Sequence, residues 1–526
     1  MIPTLILIQS HRRQFYSHID HSNTNMHSNS LMEYVLVNFR WVFVVFFLLP
    51  CTMMGKVWAT FEKNAWSRRR STGLDHEKKV ENIQCEVRHR KVYAPNHVMC
   101  TARPSWRSMT LAEMTYKKCM FNINVHLDKM ISIDSHNRTV RVEPSITVGQ
   151  LIPILIQSGW TVPVALELED LTIGGLVMGI GLESSSFKFG LFHKTCTRYE
   201  LVTADGDLIT CSEAENPDVF ESIPFSYGTL GFLTAIDIRI MPAKKYVRLQ
   251  YRPISSLEKI QSSLISETLD TENNDFVELL MYSKNDGVLM TGKMTDGNQS
   301  MKNVNEIGRF YKPWFFKHVE SFLLSQRNAE EYIPLKDYYF RHNNSLFWEV
   351  QDIIPFGNHI VFRYLLGWIM PAKVALLKLT QTDTIKKLYD EHHFIDDFIL
   401  PISCLKKSVE KFHEHLNIYP IWVCPAVLNP GYGLVHSHAS VDNMYIDIGL
   451  YGEPNVSNYN SGIAKDLELF VLKLKGFKMM YVGTHLNRNE FKKMFNHCLY
   501  QSVRMQLNCE YNFPEVYDKV NKKVRR

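Results

Sequence analysis

Glu169-Asp170-Leu171-Thr172-Ile173-Gly174-Gly175-Leu176-Val177-Met178-Gly179-Ile180-Gly181-Leu182-Glu183-Ser184 places four glycines within eight positions of a largely apolar run. Glycine has no Cβ and reaches backbone angles closed to other residues, so such a run lets main-chain N–H groups approach a bulky anion as a concave row of donors. A buried diphosphate needs such donors. Neither of the two commonest phosphate motifs fits: no Gly-Lys-Ser/Thr ending follows, and the spacing is not Gly-x-Gly-x-x-Gly between a strand and a helix. The run points to a nucleotide fold of another kind, against the plainer alternative that its glycines mark turns and bulges.

On its N-terminal side, Ile123–Leu127 and Thr139–Glu143 alternate like strands, with turn residues Asp134-Ser135-His136-Asn137 between them. Thr147–Gly159 has a helical rhythm and a glycine stop, and Thr161–Val164 reads as a strand feeding the glycine run. On its C-terminal side, Tyr199–Thr210 reads as a hairpin turning at Asp205-Gly206, and Tyr227–Ile240 follows. The order is that of an α+β domain opening near residue 80.

A length of 526 residues suggests about two or three globular units. With 45% hydrophobic and 12% aromatic residues the chain can build a sizeable core. A net charge of +5 is modest, and no basic stripe with interleaved aromatics argues for nucleic acid. The ten cysteines show no CxxC or CxxH clustering, so neither a metal site nor a secreted disulfide framework is indicated; they read as reduced thiols.

Trp41–Gly55 is fifteen residues without a charge, and Val57-Trp58-Ala59 extends it past Lys56. That length is near the lower limit for a membrane span, and Trp41 and Trp58 resemble interfacial anchors. Residues 40–60 therefore read as a retained single-pass anchor, against a buried core helix or a signal-peptide segment, with 1–39 as a lead-in disordered at its start. Lys63, Arg68, Arg69, Arg70, Lys78 and Lys79 outweigh Arg12, Arg13 and Arg40, which places the body on the cytosolic side.

Specific motifs frame the glycine run. Val140-Arg141-Val142-Glu143-Pro144, Gly159-Trp160, Asp170–Gly175, Glu200–Gly206 and Gly228-Thr229-Leu230-Gly231-Phe232-Leu233-Thr234 together resemble the FAD-binding domain of the vanillyl-alcohol oxidase and para-cresol methylhydroxylase (PCMH) type. Met99–Pro104, Met241–Val247, Tyr311–His318, Gln351–Asn358 and Phe513–Lys519 narrow the resemblance to the Δ24-sterol reductase group (seladin/DIMINUTO/DWARF1), from about Arg40 to the C-terminus.

The resemblance implies a two-part FAD-binding PCMH-type domain over 80–245 and an α+β substrate or cap domain over 246–526. It implies FAD held by Thr172, Ile173, Gly174, Gly175, Leu176, Val177, Met178, Gly179, Ile180, Gly181, Leu182, Glu183 and Ser184, with Gly228, Thr229 and Gly231 nearby. Arg103 would bring a positive charge to the diphosphate, against the plainer role of a surface ion pair. Ala102–Ser108 lacks the histidine that joins many superfamily oxidases to their flavin, so noncovalent FAD is expected. The implied activity is reduction of a sterol side-chain alkene between carbons 24 and 25, NADPH being the electron source, at the endoplasmic reticulum membrane. The alternatives are an FAD-linked alcohol or sugar-lactone oxidase and a non-catalytic sterol-binding scaffold.

An isolated alkene has no carbonyl to polarise it, so proton delivery to carbon 24 must lead or accompany hydride transfer to carbon 25. Candidates for the acid lie in the second domain. Tyr339, Arg341 and His342, with Glu331 and Tyr338, form one polar-aromatic cluster; Tyr445 shares a strand face with Asp447, close to Tyr451 and Glu453; Tyr481, Asn487, Arg488 and Glu490 form a third group. Two apolar stretches, Trp314–Phe316 and Phe362–Met370, are either core or a lip resting on the membrane. No second glycine-rich nucleotide motif is evident in 246–526, so NADPH either docks transiently at the flavin or acts through a partner reductase.

Overall fold

The computed structural model describes residues 40–51, 53–54, 73–108, 114–297, 303–370, 386–387, 391–437, 443–460 and 462–525. The lead-in 1–39, and residues 52 and 55–60 of the expected anchor, lie outside the described residues.

Met99–Thr101 (β1) pairs in parallel with Phe121–Ile123 (β2), and Arg103 follows directly on β1. The strand expected over 123–127 is shorter and shifted, because the Asn124 N–H donates to Glu86 Oε2 (2.8 Å) rather than to a ladder. Met130–Asp134 (β3) and Thr139–Val142 (β4) form a hairpin, and Trp160–Thr161 (β5) lies apart. Cys196–Val202 (β6), Leu208–Ser212 (β7) and Phe232–Arg239 (β8) complete an antiparallel sheet of order β3-β4-β8-β6-β7. Met241–Pro242 (β9) pairs with β5, whose continuation stops before Pro163, a residue with no N–H to offer.

The Gly73–Tyr93 helix crosses the charged face of this sheet, burying Val80, Ile83 and Val87, while His76 bonds Glu143 (2.9 Å). The Val148–Gln157 helix begins at a Thr147–Gln150 capping box and buries Val148, Leu151, Ile152 and Leu155, the spacing of one helical face. It ends at Gly159, whose φ of +80° suits glycine.

The second sheet contains Tyr246–Ser255 (β10), Phe276–Met281 (β11), Asp286–Thr295 (β12), Ala329–Pro334 (β13), Phe394–Pro401 (β14), Ile421–Val427 (β15), Met444–Gly452 (β16) and Phe477–Lys478 (β17). Its order is β13-β10-β12-β11-β15-β16-β14-β17, with every pair antiparallel. A strand–helix–strand–strand unit occurs twice, once as β10, the Leu257–Leu269 helix, β11 and β12, and again as β14, the Leu405–His415 helix, β15 and β16. The two units meet through β11 and β15, and their helices lie side by side, with Lys406 bonding Glu258 (2.6 Å) and Gln261 bonding the Ser403 carbonyl (3.3 Å).

The tail of the stretch expected to form the cap packs elsewhere. Tyr500 bonds Thr229 (2.6 Å), Arg504 donates to the Thr229 carbonyl (2.8 Å), and Phe513 lies 5.3 Å from Phe232. Residues 498–525 therefore lie against the first sheet's side of the molecule, because the apolar Phe513 and Cys509 and the fully bonded Arg504 find their partners there.

At the N-terminal end Arg40–Phe43 and Val44–Leu48 are helical; Val44, Val45 and Leu49 are buried, and Trp41 meets Phe356 edge-on at 5.2 Å. Among the described residues no helix is long and apolar enough to cross a membrane.

Candidate active site

The glycine run folds into the short helix Ile173–Met178 and a following loop, not into an extended row of donors. Several of its N–H groups are already used: Ile173 donates to the Ile146 carbonyl (3.0 Å), Gly174 to Pro144 (2.7 Å) and Gly179 to Gly175 (2.9 Å). Two of the glycines serve packing, since a Cβ on Gly174 would lie 2.7 Å from Pro144 and one on Gly181 would lie 2.8 Å from Phe192. Gly175 is the exposed member, and it faces a cavity of about 620 Å³.

That cavity lies between the glycine segment and the inner face of the second sheet. Thr172, Gly174, Gly175, Leu176, Met178, Gly179, Ile180 and Leu182 line it, with Arg103, Gly228 and Gly231. The other expected cofactor contacts are turned away from it. Ile173 and Val177 point into the core one helical turn apart; Gly181 backs on Phe192; Thr229 is engaged by Tyr500. Glu183 and Ser184 belong to a buried polar cluster in which the Ser184 hydroxyl donates to Glu183 (2.6 Å).

None of the four expected acids, Tyr339, Arg341, His342 and Tyr445, lines the cavity. Arg341 is fully buried between two carboxylates, Glu183 (2.8 Å) and Glu278 (2.7 Å), and so ties the glycine segment to β11. Burial would raise Glu278, but Arg341 and His342 hold it down to about 2. Burial lowers His342 to about 4, so it is neutral at physiological pH; its ring stacks on Phe347 at 4.4 Å. Phe347 does line the cavity, and with Leu346 it sits in the left-handed region (φ +61° and +46°), a conformation that side chains at sites often hold under strain. The Tyr339 hydroxyl bonds Thr161 (3.0 Å), and burial pushes it well up. Tyr445 is fully buried on β16, 6.5 Å from Phe477.

Tyr445, Asp447, Gly449 and Tyr451 share one face of β16, and of these Asp447 and Tyr451 line the cavity, where Asp397 and Ile395 of β14, Trp422 of β15 and Tyr481 join them. The register sets Gly449 between Asp397 and Trp422. Tyr451 donates a hydrogen bond to Asp397. Burial pushes Asp397 up to about 6, opposed by hydrogen bonds from Tyr451 and Tyr481. Asp447 is fully buried, and among the described residues neither of its carboxyl oxygens has a side-chain hydrogen-bond partner, the Ile448 N–H being the neighbour that works against its burial. Burial raises it well above the usual carboxyl range, and the neighbouring Asp397 and Glu167 add to the effect. Glu167, two residues before the glycine stretch, is pushed up to about 8 by burial and then by Glu183. An acid in such surroundings is held protonated.

The opposite wall carries positive charge. Lys117, Lys519 and Arg525 line it with Arg103, which donates to Thr172 Oγ1 (3.0 Å). The sequence reading missed Lys117, Lys519, Arg525, Asp397 and Glu167. Asp397 carried one visible signal, an acid inside the apolar strand Phe394–Pro401. The cavity thus joins a cationic, glycine-lined end to an apolar end bearing protonated carboxyls, a combination that fits a flavin dinucleotide beside an apolar substrate.

Fold and site define an FAD-binding protein: residues 87–212 match the FAD binding domain family. Along nearly its whole length the chain is similar to the Delta(24)-sterol reductase of Homo sapiens, 47% identical over 94% of this chain and 96% of that protein. The Delta(24)-sterol reductase homolog dhcr-24 of Caenorhabditis elegans is 38% identical over 94% and 97%, and the Arabidopsis thaliana Delta(24)-sterol reductase 32% identical over 92% of each. The chain belongs to the Delta(24)-sterol reductase family.

Proposed function

We infer that this chain reduces the Δ24 side-chain double bond of sterols, desmosterol to cholesterol in type, with noncovalent FAD and with NADPH as electron donor. The observation that carries this reading is Asp447, a fully buried carboxyl with no side-chain partner among the described residues, facing an apolar cavity whose far wall is glycine-lined and cationic. The flavin, when bound, supplies hydride. Asp447 is the group to deliver the proton to carbon 24, since burial and its acidic neighbours keep it neutral and ready to donate. The Tyr451–Asp397 pair holds that face of the sheet in place, and Trp422, Phe347 and Ile395 exclude water from the developing positive charge.

In this reading residues 80–245 carry the cofactor, 246–497 form the cap, and 498–525 return to the cofactor side. The membrane contact follows the exposed apolar side chains. Ile360, Val361, Tyr364, Leu365 and Trp368 face outward, and Phe356 links their helix to Trp41 of the Arg40–Met54 stretch, on which Phe46 and Phe47 are each 60% exposed. A bilayer is the occupant argued for, because the substrate is a membrane lipid and the patch continues into the apolar N-terminal stretch. Trp314–Phe316 is no part of that lip: all three side chains are buried, Phe315 and Phe316 on the inward face of the Phe315–Ser325 helix. The charge asymmetry around 40–60 supports a single-pass endoplasmic reticulum protein with its body in the cytosol.

The test is incubation of the purified, detergent-solubilised full chain with desmosterol, NADPH and FAD, followed by mass spectrometry. A gain of two hydrogens is expected. No gain with flavin bound would sink the assignment, and oxygen consumption without NADPH would replace it by an oxidase. A gain that appears only when a microsomal reductase is added would move electron delivery to a partner.

A further inference from the structure

The C-terminal segment brings two buried cations to the cavity wall, where two others from the opposite end of the chain meet them. Lys519 and Arg525 are buried; Lys117 is half-buried and Arg103 sits at the mouth. Their contacts are the wrong kind to neutralise them. Lys519 donates to the Tyr227 carbonyl, Lys117 to the carbonyls of Thr101 (3.0 Å) and Arg103 (2.6 Å), and Arg525 to those of Lys519 (2.9 Å) and Tyr481 (2.9 Å). Among the described residues none of the four forms an ion pair, and Asp170 is the carboxylate whose charge acts on Arg103. Like charges gathered along one largely buried wall with a single carboxylate near one of them are costly, and the expected resolution is a bound anion.

The segment is also sewn in place. Arg525 bridges to Met114 and Thr484 to Asn521, and the Thr115 hydroxyl donates to the Val524 carbonyl (3.1 Å). A Cβ on Gly228 would lie 3.9 Å from Lys519 Nζ, so the ammonium stands beside the Gly228 turn expected near the cofactor. Burial, and then the positive neighbours Lys117 and Arg525, push Lys519 down to about 7 against an opposing pull from Cys100, which leaves its charge poorly stabilised until an anion arrives.

We propose that Lys519 and Arg525, from the last ten residues of the chain, close the cofactor site and, with Lys117 and Arg103, clamp the diphosphate of the bound dinucleotide, taken to be FAD. This rests on the FAD reading above. The clamp complements the glycine segment: the glycines let the diphosphate come close, and the tail supplies the charge that holds it.

The experiment measures FAD and FMN binding by flavin fluorescence on the full chain, for wild type, Lys519→Gln, Arg525→Gln, the conservative Lys519→Arg and the exposed control Lys523→Gln. Circular dichroism checks folding. Losing one charge-assisted contact is expected to raise the FAD Kd about ten-fold or more, with FMN, which lacks the diphosphate, changed less than about two-fold. Lys519→Arg is expected to retain most of the affinity, and Lys523→Gln all of it. Unchanged FAD affinity in both glutamine variants overturns the clamp, as does equal weakening of FAD and FMN. If FAD stays bound and only flavin bleaching by NADPH slows, the cations belong to the nicotinamide nucleotide and the proposal falls in its FAD form. Should Lys519→Gln fail to fold, Arg525→Gln carries the test through the same FAD-to-FMN ratio. A wild-type chain that binds no FAD fails the cofactor reading itself; a wild type that binds, with variants that bind equally, fails only the clamp.

Discussion

The two repeated units of the eight-stranded sheet share strand order and pairing but treat charge in opposite ways. In the first, Glu278 of β11 is neutralised by Arg341 and also accepts from the Trp422 indole (3.0 Å). In the second, Asp397 of β14 and Asp447 of β16 face the cavity, and among the described residues neither is ion-paired: the nearby Lys478 pairs with Asp396 and Glu468 and pulls on Asp397 only at a distance. Glu278, Trp422, Asp397 and Asp447 stand on the same face of the continuous sheet, as the registers of β11 with β15, of β15 with β16 and of β14 with β16 require. The same scaffold is therefore used once to lock two parts of the chain together through Glu183–Arg341–Glu278, and once to keep a carboxyl, Asp447, protonated facing the cavity. Charge compensation, not position in the fold, separates the structural acid from the chemical one.

The largest effect is expected where the compensated half is broken. Arg341→Met leaves Glu183 and Glu278 buried without their cation, which is expected to cost about 3–5 kcal/mol of stability in denaturant unfolding. An Arg341→Met protein that melts like wild type would show that the lock is dispensable.

Next in size is Asp447→Asn. It keeps shape and removes the transferable proton, so turnover is expected to fall about 100-fold or more while FAD and sterol still bind. The pH behaviour of the two halves separates them further. Glu278 is depressed to about 2 in the fold, so its stabilisation is present above the ordinary value of 4.5 and is lost as pH falls through about 2. Glu167 and Asp397 are raised to about 8 and about 6. The folded chain keeps protons that the unfolded chain has already released, so their contribution is full below about 4 and is lost as pH rises toward about 8. Melting temperature should therefore decline from mildly acidic to mildly alkaline pH, and Glu167→Gln should flatten that decline. A turnover that Asp447→Asn leaves intact would return the search for the acid to Glu167.

The same division explains what could be read from the amino-acid order. Local signals were legible: the Thr147–Gln150 cap, the Gly159 stop and the turn at Gly206 (φ +84°) depend on residues within a few positions of one another. The family motifs located the cofactor side, and eight of the expected cofactor residues between Thr172 and Ser184 do reach the cavity. The site's charge logic was not legible, because it is made by distant pairs. Arg341 looked like an active-site cation until its partners 158 and 63 residues away were in place, and Lys519 reaches Tyr227 across 292 positions. A polar-aromatic cluster in sequence does not say whether its charges are matched, and matching is what distinguishes the two uses.

The smallest of these effects tests how the uncompensated half is kept in register. Gly449 lies between Asp397 and Trp422, and a Cβ there would stand 2.5 Å from the Tyr451 hydroxyl and 2.9 Å from Asp397 Oδ1. The glycine therefore leaves the space in which the Tyr451–Asp397 hydrogen bond forms. Gly449→Ala is expected to cost about 1–3 kcal/mol and to lower turnover about ten-fold, since Asp447 keeps its proton but the face beside it shifts. Tyr451→Phe in the same chain removes the nearest clashing atom, the hydroxyl, without restoring the bond, and leaves ring carbon Cζ (2.8 Å) and Asp397 Oδ1 (2.9 Å) to be accommodated by small shifts. If space alone matters, the double variant regains part of both stability and rate; if the hydrogen bond positions the acid's surroundings, it regains part of the stability and stays as slow as Gly449→Ala. The second outcome is expected, because a phenylalanine ring can fill the cavity wall but cannot fix the Asp397 carboxyl next to the one that gives up its proton.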